Sequence, residues 1–105
     1  MNHILQIPSC NDFVSLYGFD CSIDEDFVQK CVFRNGEYKL TLNFYIPIDA
    51  LKISISKSDK EYFYFYREDL SKIMLDENGD FMNLTFSSGI ELLINLYPIV
   101  RVSIK

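Results

Sequence analysis

The sequence predicts an α+β domain in which one short N-terminal helix packs on a curved, mainly antiparallel sheet of about six or seven strands, forming a small sandwich or half-barrel. Three observations predict this fold. Apolar and polar residues alternate through several short segments, as in strands that bury one face. Turn residues such as Asn35-Gly36 and Ser88-Gly89 join these segments too closely for the crossovers of a parallel sheet. One segment near the amino terminus has helical spacing instead.

The length and composition are those of a single domain spanning residues 1–105. Its 105 residues can form one core without disulfide staples, and 49% of them are hydrophobic. The formal net charge is −5 and the sequence pI is about 4.7. Such a chain repels phosphate backbones and attracts basic proteins. We therefore expect no nucleic-acid partner; the acidity favours either a basic partner protein or simply solubility.

The cysteines and the apolar residues are distributed as in a cytoplasmic protein. Cys10, Cys21 and Cys31 are odd in number and widely spaced, with no Cys-x-x-Cys pair, so we expect reduced thiols. The amino-terminal residues lack the basic and apolar regions of a signal peptide. No run approaches the roughly 18 apolar residues of a membrane span, so we expect no membrane association.

The predicted helix lies close to the amino terminus. Residues 2–8 indicate a short edge strand that a proline ends. Ser9 or Asn11 is placed to cap a helix over residues 10–17, because either side chain accepts from free backbone donors. The apolar residues of this segment recur at helical spacing, and Gly18 is a suitable end.

The segment that follows the helix is harder to assign. Residues 19–21 are interpreted as a connection. Residues 22–27 stay ambiguous, because Ser22 and Glu25 match a capping box but only about one helical turn would follow. Residues 28–33 then predict a strand.

The middle of the chain predicts hairpins. Asn35-Gly36 favours the type I′ turn that joins antiparallel strands, because both residues tolerate positive φ. Clean alternation predicts strands over residues 38–46 and 51–56, and residues 57–60 form a polar loop.

The aromatic segment at residues 61–66 predicts the next strand, since aromatic rings suit a pleated surface. Phe63 and Phe65 would point to one side, which we take as the core. The opposite side would then carry three hydroxyl-bearing rings and be half-exposed or covered by another element: Tyr62, Tyr64 and Tyr66.

The last third of the chain predicts more strands. Residues 70–75 are apolar, but their pattern does not decide between helix and strand. Residues 76–80 form a loop. Alternation predicts three further strands, at residues 82–86, 90–96 and 100–104.

Catalytic, cofactor and metal sites are not predicted, so the protein is expected to be non-enzymatic. The single histidine, His3, lies near the amino terminus, where a base is poorly held. The acidic loop beginning at Asp76 resembles a calcium loop, but Phe81 and Ser87 occupy the positions that need Gly and Glu. A tight turn is the better interpretation of that loop.

Two groups of residues are candidates for contact with a partner. Asp20, Asp24, Glu25 and Asp26 form the densest acidic patch and suit the lysines and arginines of a basic protein; the alternative is a solvated helix start or loop. Tyrosine is enriched at interfaces, although these rings also suit packing under another element. Basic residues do not cluster into a stripe that would bind nucleic acid. The predicted partner-binding residues are Asp24, Glu25, Asp26, Tyr62, Tyr64 and Tyr66.

Most of the chain resembles a family of small bacterial immunity proteins. The resemblance lies in a short helix with a Tyr-Gly step at residues 13–20, an acidic turn at 22–30 and a hairpin at 34–36. It continues in a strand-Gly-strand ending at residues 83–94 that leads into residues 100–104. Such proteins neutralise toxin domains of polymorphic and contact-dependent inhibition systems.

The resemblance implies a cytoplasmic, non-enzymatic protein without a cofactor that binds one cognate toxin domain; an acidic immunity protein suits a basic toxin such as a nuclease. Two other interpretations remain open. One is a general interaction module or a self-associating accessory protein, for example a homodimer. The other is a small-ligand carrier, which would need an apolar cavity of several hundred cubic ångströms.

Overall fold

The structure, a computed structural model, describes residues 7–104. Within them lie one α-helix, one short 3₁₀ helix (Ile46–Ile48) and nine strands in two antiparallel sheets. That α-helix is too short to cross a membrane. The helix and strands are α1 (Cys10–Tyr17), β1 (Asp20–Ile23), β2 (Val28–Asn35), β3 (Tyr38–Tyr45), β4 (Ala50–Lys57), β5 (Lys60–Arg67), β6 (Leu70–Leu75), β7 (Phe81–Phe86), β8 (Glu91–Asn95) and β9 (Arg101–Ile104).

Helix α1 has the predicted limits because its caps are local. The Ser9 hydroxyl accepts from the Asp12 amide, and the Asp12 carboxylate accepts from the Ser9 amide. At the other end Gly18 takes φ 72°, which a left-handed cap requires. The helix packs against β1 and β2 through Phe13 and Tyr17. The Tyr17 hydroxyl donates to the Phe81 carbonyl at 2.7 Å and accepts from the Asp76 amide at 2.9 Å, which ties α1 to the four-stranded sheet.

The five-stranded sheet has the order β1-β2-β3-β4-β5, and the four-stranded sheet has the order β6-β7-β8-β9. Within each sheet, every strand pairs with its neighbours in sequence. The inner faces of both sheets share one core, in which Phe65 and Phe86 lie with ring centroids 5.4 Å apart. The fully buried members with the largest side chains are Phe13, Phe44, Phe86, Leu40, Leu42, Leu51, Ile53, Ile55, Met82, Leu84, Leu92 and Ile94.

The chain steps from one sheet to the other between β5 and β6. The Asp69 carboxylate accepts two hydrogen bonds from the Arg67 guanidinium, at 2.7 and 3.2 Å, and one from the Ser88 amide at 2.9 Å. The Asp69 carbonyl accepts from the Ser87 amide at 2.8 Å, and the Leu70 amide donates to the Asp49 carbonyl. The step is therefore bonded to both sheets.

Several predicted elements need correction. The antiparallel arrangement is confirmed, but the sheet is split into two, and residues 7–104 contain nine strands where six or seven were expected. Residues 20–23 form an edge strand, not a connection or a helical turn, because β2 offers them a paired edge. Residues 70–75 form a strand. The edge strand predicted at residues 2–8 falls largely outside the described residues.

The predicted hairpin after β2 exists, but its turn is displaced by one residue. Asn35 pairs with Tyr38, so Gly36 and Glu37 are the central residues, and only Gly36 has positive φ, as in a type II′ turn. The side-chain amide of Asn35 donates to the carbonyls of Leu96 and Pro98, at 3.0 and 2.9 Å. Its side chain joins the hairpin to the other sheet.

Cys21 and Cys31 face each other across β1 and β2. Their Cα atoms are 4.2 Å apart and their sulfur atoms are in contact. Cys10 is free. The sequence interpretation treated all three as separate thiols, because the register that brings two of them together is not visible in their spacing.

Candidate protein-binding surface

The acidic turn between β1 and β2 is organised by Asp24. One oxygen of its carboxylate accepts from the amides of Asp26 and Val28, at 2.9 and 3.0 Å. Its backbone bonds to Val28 and to Phe27. Glu25 and Asp26 are exposed, and within residues 7–104 their carboxylates make no hydrogen bond or ion pair. Asp24 therefore stabilises the turn, whereas the carboxylates of Glu25 and Asp26 are available to a partner.

Phe27 is the unusual residue of this turn. It is 61% exposed and has φ 61°, a conformation that bulky residues rarely adopt and that costs about 1–3 kcal/mol. Its carbonyl accepts from the Ile46 amide of the adjoining 3₁₀ segment, at 3.3 Å. Ile48 in that segment is 53% exposed, and Asp49 also has positive φ.

Exposed apolar and acidic side chains thus meet at one end of the five-stranded sheet, together with Ile23 at the end of β1. Nothing within residues 7–104 covers these apolar side chains. We call this surface the acidic end; it consists of Ile23, Asp24, Glu25, Asp26, Phe27, Ile48 and Asp49.

The predicted faces of the aromatic strand are confirmed in part. Phe63 and Phe65 pack against the core, and Tyr64 and Tyr66 lie on the outer face, 58% and 41% exposed. Tyr62 differs, because a β-bulge opposite Ile55 turns its side chain toward the inner side. Its hydroxyl donates to the Val100 carbonyl of the other sheet at 3.4 Å.

The structure does not bring all six predicted partner-binding residues together. The acidic turn adjoins β1 and the tyrosines lie on β5, which are the two opposite edges of the sheet. Four inter-strand spacings separate these edges, about 19 Å. Tyr45 on β3 lies between these two edges, and its ring centroid is 6.2 Å from that of Tyr66.

Sequence reasoning missed Phe27 and Ile48. Phe27 directly follows the acidic run, and an apolar residue in a polar turn is a usable signal. Its positive φ, however, depends on how β1 returns into β2, and Ile48 is near it because the Ile46 amide, two residues earlier, donates to the Phe27 carbonyl. Neither property can be read from the sequence.

Shifted pKa values in the described chain have structural causes. Burial raises the pKa of the Tyr17 hydroxyl, and partial burial raises that of Tyr62. A hydrogen bond to Glu68 raises the pKa of Tyr66. The hydrogen bonds of Arg67 lower the pKa of Asp69 to about 2. None of these groups forms a nucleophile–base pair, and residues 7–104 contain no metal-binding cluster. His3 lies outside the described residues.

An open cleft of about 370 Å³ lies between the start of β5 and the start of β9. Ile55, Phe63 and Val102 give it apolar walls. Lys57 and Arg101 also line it, so it combines an apolar surface with two cations.

No protein-family model matches the chain. The chain is 40% identical over 105 residues to "Uncharacterized protein PM0492" of Pasteurella multocida (strain Pm70), and the match covers 98% of this chain and 99% of that protein. The chain belongs to the PM0492 family.

The fold of this PM0492-family chain matches a chain of the contact-dependent growth inhibition toxin–immunity protein complex from Klebsiella pneumoniae 342. The TM-score is 0.80, with 99% of this chain and 98% of that chain covered and 12% sequence identity. The resemblance noted in the sequence is thereby confirmed in the fold. At this identity the comparison carries the fold alone.

Proposed function

We propose that this protein is an immunity protein that binds a cognate toxin domain in the cytoplasm and blocks it without enzymatic action. The observation that carries the proposal is the match, over nearly the whole chain, to a chain of a solved toxin–immunity protein complex. The exposed apolar and acidic side chains described above are compatible with a binding role.

The acidic end is the surface that best suits such a partner. Interfaces combine an apolar centre with a polar rim, and here Phe27, Ile23 and Ile48 are exposed among carboxylates. Phe27 has a strained backbone and an exposed ring, so the fold gains little from it, and contact with a partner would account for its presence. The carboxylates would steer a basic toxin domain, such as a nuclease, to this end.

Tyr64 and Tyr66 remain candidates for a second contact with the toxin, because both rings are exposed on the outer face. Tyr62 also stays a candidate, although its hydroxyl is engaged by the other sheet. A toxin that spans from the acidic turn to β5 would cover both edges of the five-stranded sheet.

The first test is co-expression with the product of the adjacent gene. We expect that neighbour alone to stop growth of the host, and this protein to restore growth and co-purify with it. A harmless neighbour, or a toxic one that this protein neither binds nor neutralises, would contradict the proposal.

The second test locates the interface. We expect Glu25→Lys/Asp26→Lys to weaken toxin binding by about a hundredfold, because two attractions become repulsions. The matched control is Glu37→Lys/Glu77→Lys, which makes the same change in net charge at exposed turns away from the acidic end. Equal loss in both variants, measured by calorimetry, would show that net charge alone matters and would remove the acidic end from the interface.

A second candidate function, binding of a small apolar ligand with an anionic group, is favoured by the cleft beside Tyr38 and Lys57. Its probe is 1-anilinonaphthalene-8-sulfonate, whose fluorescence rises in apolar sites. We expect saturable binding that Val102→Trp abolishes if the cleft serves this function; the control is Leu93→Trp, on the opposite face of the four-stranded sheet.

A further inference from the structure

The outer face of the five-stranded sheet collects four cations that are far apart in sequence. Lys30, Arg34, Lys39 and Lys52 alternate with inward-facing core residues on β2, β3 and β4, so all four side chains lie on the outer face. Lys30 and Lys52 line one shallow depression of this face, and Lys30, Arg34 and Lys39 line the next. Strand pairing thus brings together cations that are separated along the chain. We call this surface the cationic face; with its exposed rings it consists of Lys30, Arg34, Lys39, Lys52, Tyr45, Tyr64 and Tyr66.

The register of the sheet makes this arrangement unfavourable for the fold. Arg34 and Lys39 are directly opposite each other on β2 and β3, and like charges in such positions repel. Lys30 and Lys52 flank Asn43 on the two neighbouring strands. A folded chain with a formal net charge of −5 has many carboxylates that could have been placed here instead.

None of the four cations has an ionic partner among the residues that the structure describes. Within residues 7–104 the one ion pair is Arg67 with Asp69, at the step between the sheets. The face carries two carboxylates of its own, Asp20 and Glu61, and Glu61 accepts a hydrogen bond from the Ser54 hydroxyl. The Lys52 ammonium instead lies 5.8 Å from the centre of the Tyr64 ring, a cation–π distance.

We propose that the cationic face is a docking surface for an acidic polypeptide segment of a partner protein. Lys30 and Lys52 are two strands apart, about 10 Å, which is close to the ~9 Å between every third residue on one side of an extended polyproline II segment. Carboxylates at that spacing in an acidic segment can therefore reach both lysines. Tyrosine and arginine are the residues that interfaces favour, and the rings of Tyr45 and Tyr66 already pack edge to face beside the cations.

Carboxylates around the face favour an acidic protein over a nucleic acid. At β5 the face is bordered by Glu68, which accepts a hydrogen bond from the Tyr66 hydroxyl. At the turn between β1 and β2 it is bordered by the carboxylates of Asp24, Glu25 and Asp26. A phosphate backbone continues past the cations and would meet these carboxylates, whereas an acidic patch on a protein is limited in size. The net charge of −5 adds to that repulsion.

The four cations lie outside the acidic end, although Tyr64 and Tyr66 are shared with the second toxin contact proposed above. The inference is therefore tested without the toxin. The test uses the full-length, isotopically labelled protein and a hexaglutamate peptide at low ionic strength. We expect amide chemical-shift changes on β2, β3 and β4 around the four cations, and these changes should disappear as salt is added.

Matched variants separate the face from net charge. Arg34→Glu/Lys39→Glu should weaken peptide binding about tenfold, whereas Lys60→Glu/Lys72→Glu, the same charge change on exposed residues off the face, should change it less than about twofold. Lys39→Glu alone should weaken binding and raise the melting temperature, because it replaces repulsion by attraction opposite Arg34. This variant keeps the test valid if the double variant does not fold.

Three outcomes would overturn the inference. The peptide could cause no shift changes, or changes elsewhere on the protein. The control pair could weaken binding as much as the pair on the face. A thymidine hexanucleotide could bind the face more tightly than the peptide, which would make a nucleic acid the partner. Each outcome is read without the toxin, so it leaves the proposed function untouched.

Discussion

Asp69 lies where the chain leaves the five-stranded sheet, and its carboxylate is held by Arg67 on one side and by the Ser88 amide on the other. These bonds favour the ionised carboxylate, which is why the pKa of Asp69 is lowered from 3.8 to about 2. The unfolded chain lacks them. A pKa that is lower in the folded chain than in the unfolded chain makes folding depend on pH.

The ionised Asp69 stabilises the fold fully above its unfolded pKa, and this contribution is lost as the pH falls through the folded pKa. We expect the free energy of unfolding to decrease between about pH 5 and pH 2, and Asp69→Asn to make that decrease smaller. Urea unfolding at a series of pH values measures both. If the variant and the natural chain lose stability in parallel, other carboxylates account for the acid sensitivity.

Replacing Phe27 should change stability and toxin binding in opposite directions. Phe27→Gly removes the strain of positive φ, and the ring it deletes is mostly exposed, so we expect the free energy of unfolding to rise by up to about 1 kcal/mol. Toxin binding should weaken at the same time. A variant that binds the toxin like the natural chain would remove Phe27 from the interface, and Ile104→Gly, an exposed apolar residue on β9, is the control.

At the scale of elements, α1 and the β6–β7 hairpin fit together at Gly79. A Cβ atom there would overlap the Leu16 carbonyl oxygen, and the backbone of Leu16 cannot move without disturbing the end of α1. The bonds from the Tyr17 hydroxyl to Asp76 and Phe81 hold the hairpin at this distance. The helix therefore bridges the two sheets.

Gly79→Ala should lower the free energy of unfolding by about 2–3 kcal/mol, because it adds an overlap to the cost of φ 75°. The control is Gly36→Ala, which has φ 60° but open space around the added Cβ, and it should cost about 1 kcal/mol. Urea unfolding of the two variants decides the point. Equal losses would mean that backbone conformation, and not the contact with α1, sets the cost.

The elements that sequence reasoning predicted are those determined by local chemistry. Helix α1 has the expected limits because Ser9 and Gly18 form its caps, and the alternating strands follow from which side chains must be buried. The bulge at Tyr62, the displaced turn at Asn35 and the strand β1 were missed because each depends on a partner strand.

The candidate surfaces were less predictable than the fold for the same reason. Glu25 and Asp26 are exposed side by side, as their proximity in sequence suggests. Arg34 lies opposite Lys39 because of the strand register. Phe27 lies beside the segment that contains Ile48 because of the path of the backbone. A charge pattern across strands has no counterpart along the chain.

At the scale of the whole molecule, each sheet is built from one uninterrupted stretch of chain. β1 to β5 come from residues 20–67 and β6 to β9 from residues 70–104, and within the described chain no strand pairs across the step at residues 68–69. Pairing between sequence neighbours also keeps most loop closures short, which favours fast folding.

A consequence is that the protein should still fold when its chain is expressed as two separate fragments. Cutting the chain after residue 67 interrupts no ladder hydrogen bond, although it separates Arg67 from Asp69. We expect each fragment alone to stay unfolded, because each sheet needs the other to bury its inner face, and the two co-expressed fragments to associate into the native domain. Circular dichroism and co-purification measure this complementation; a fragment that folds alone, or a pair that never associates, would contradict it.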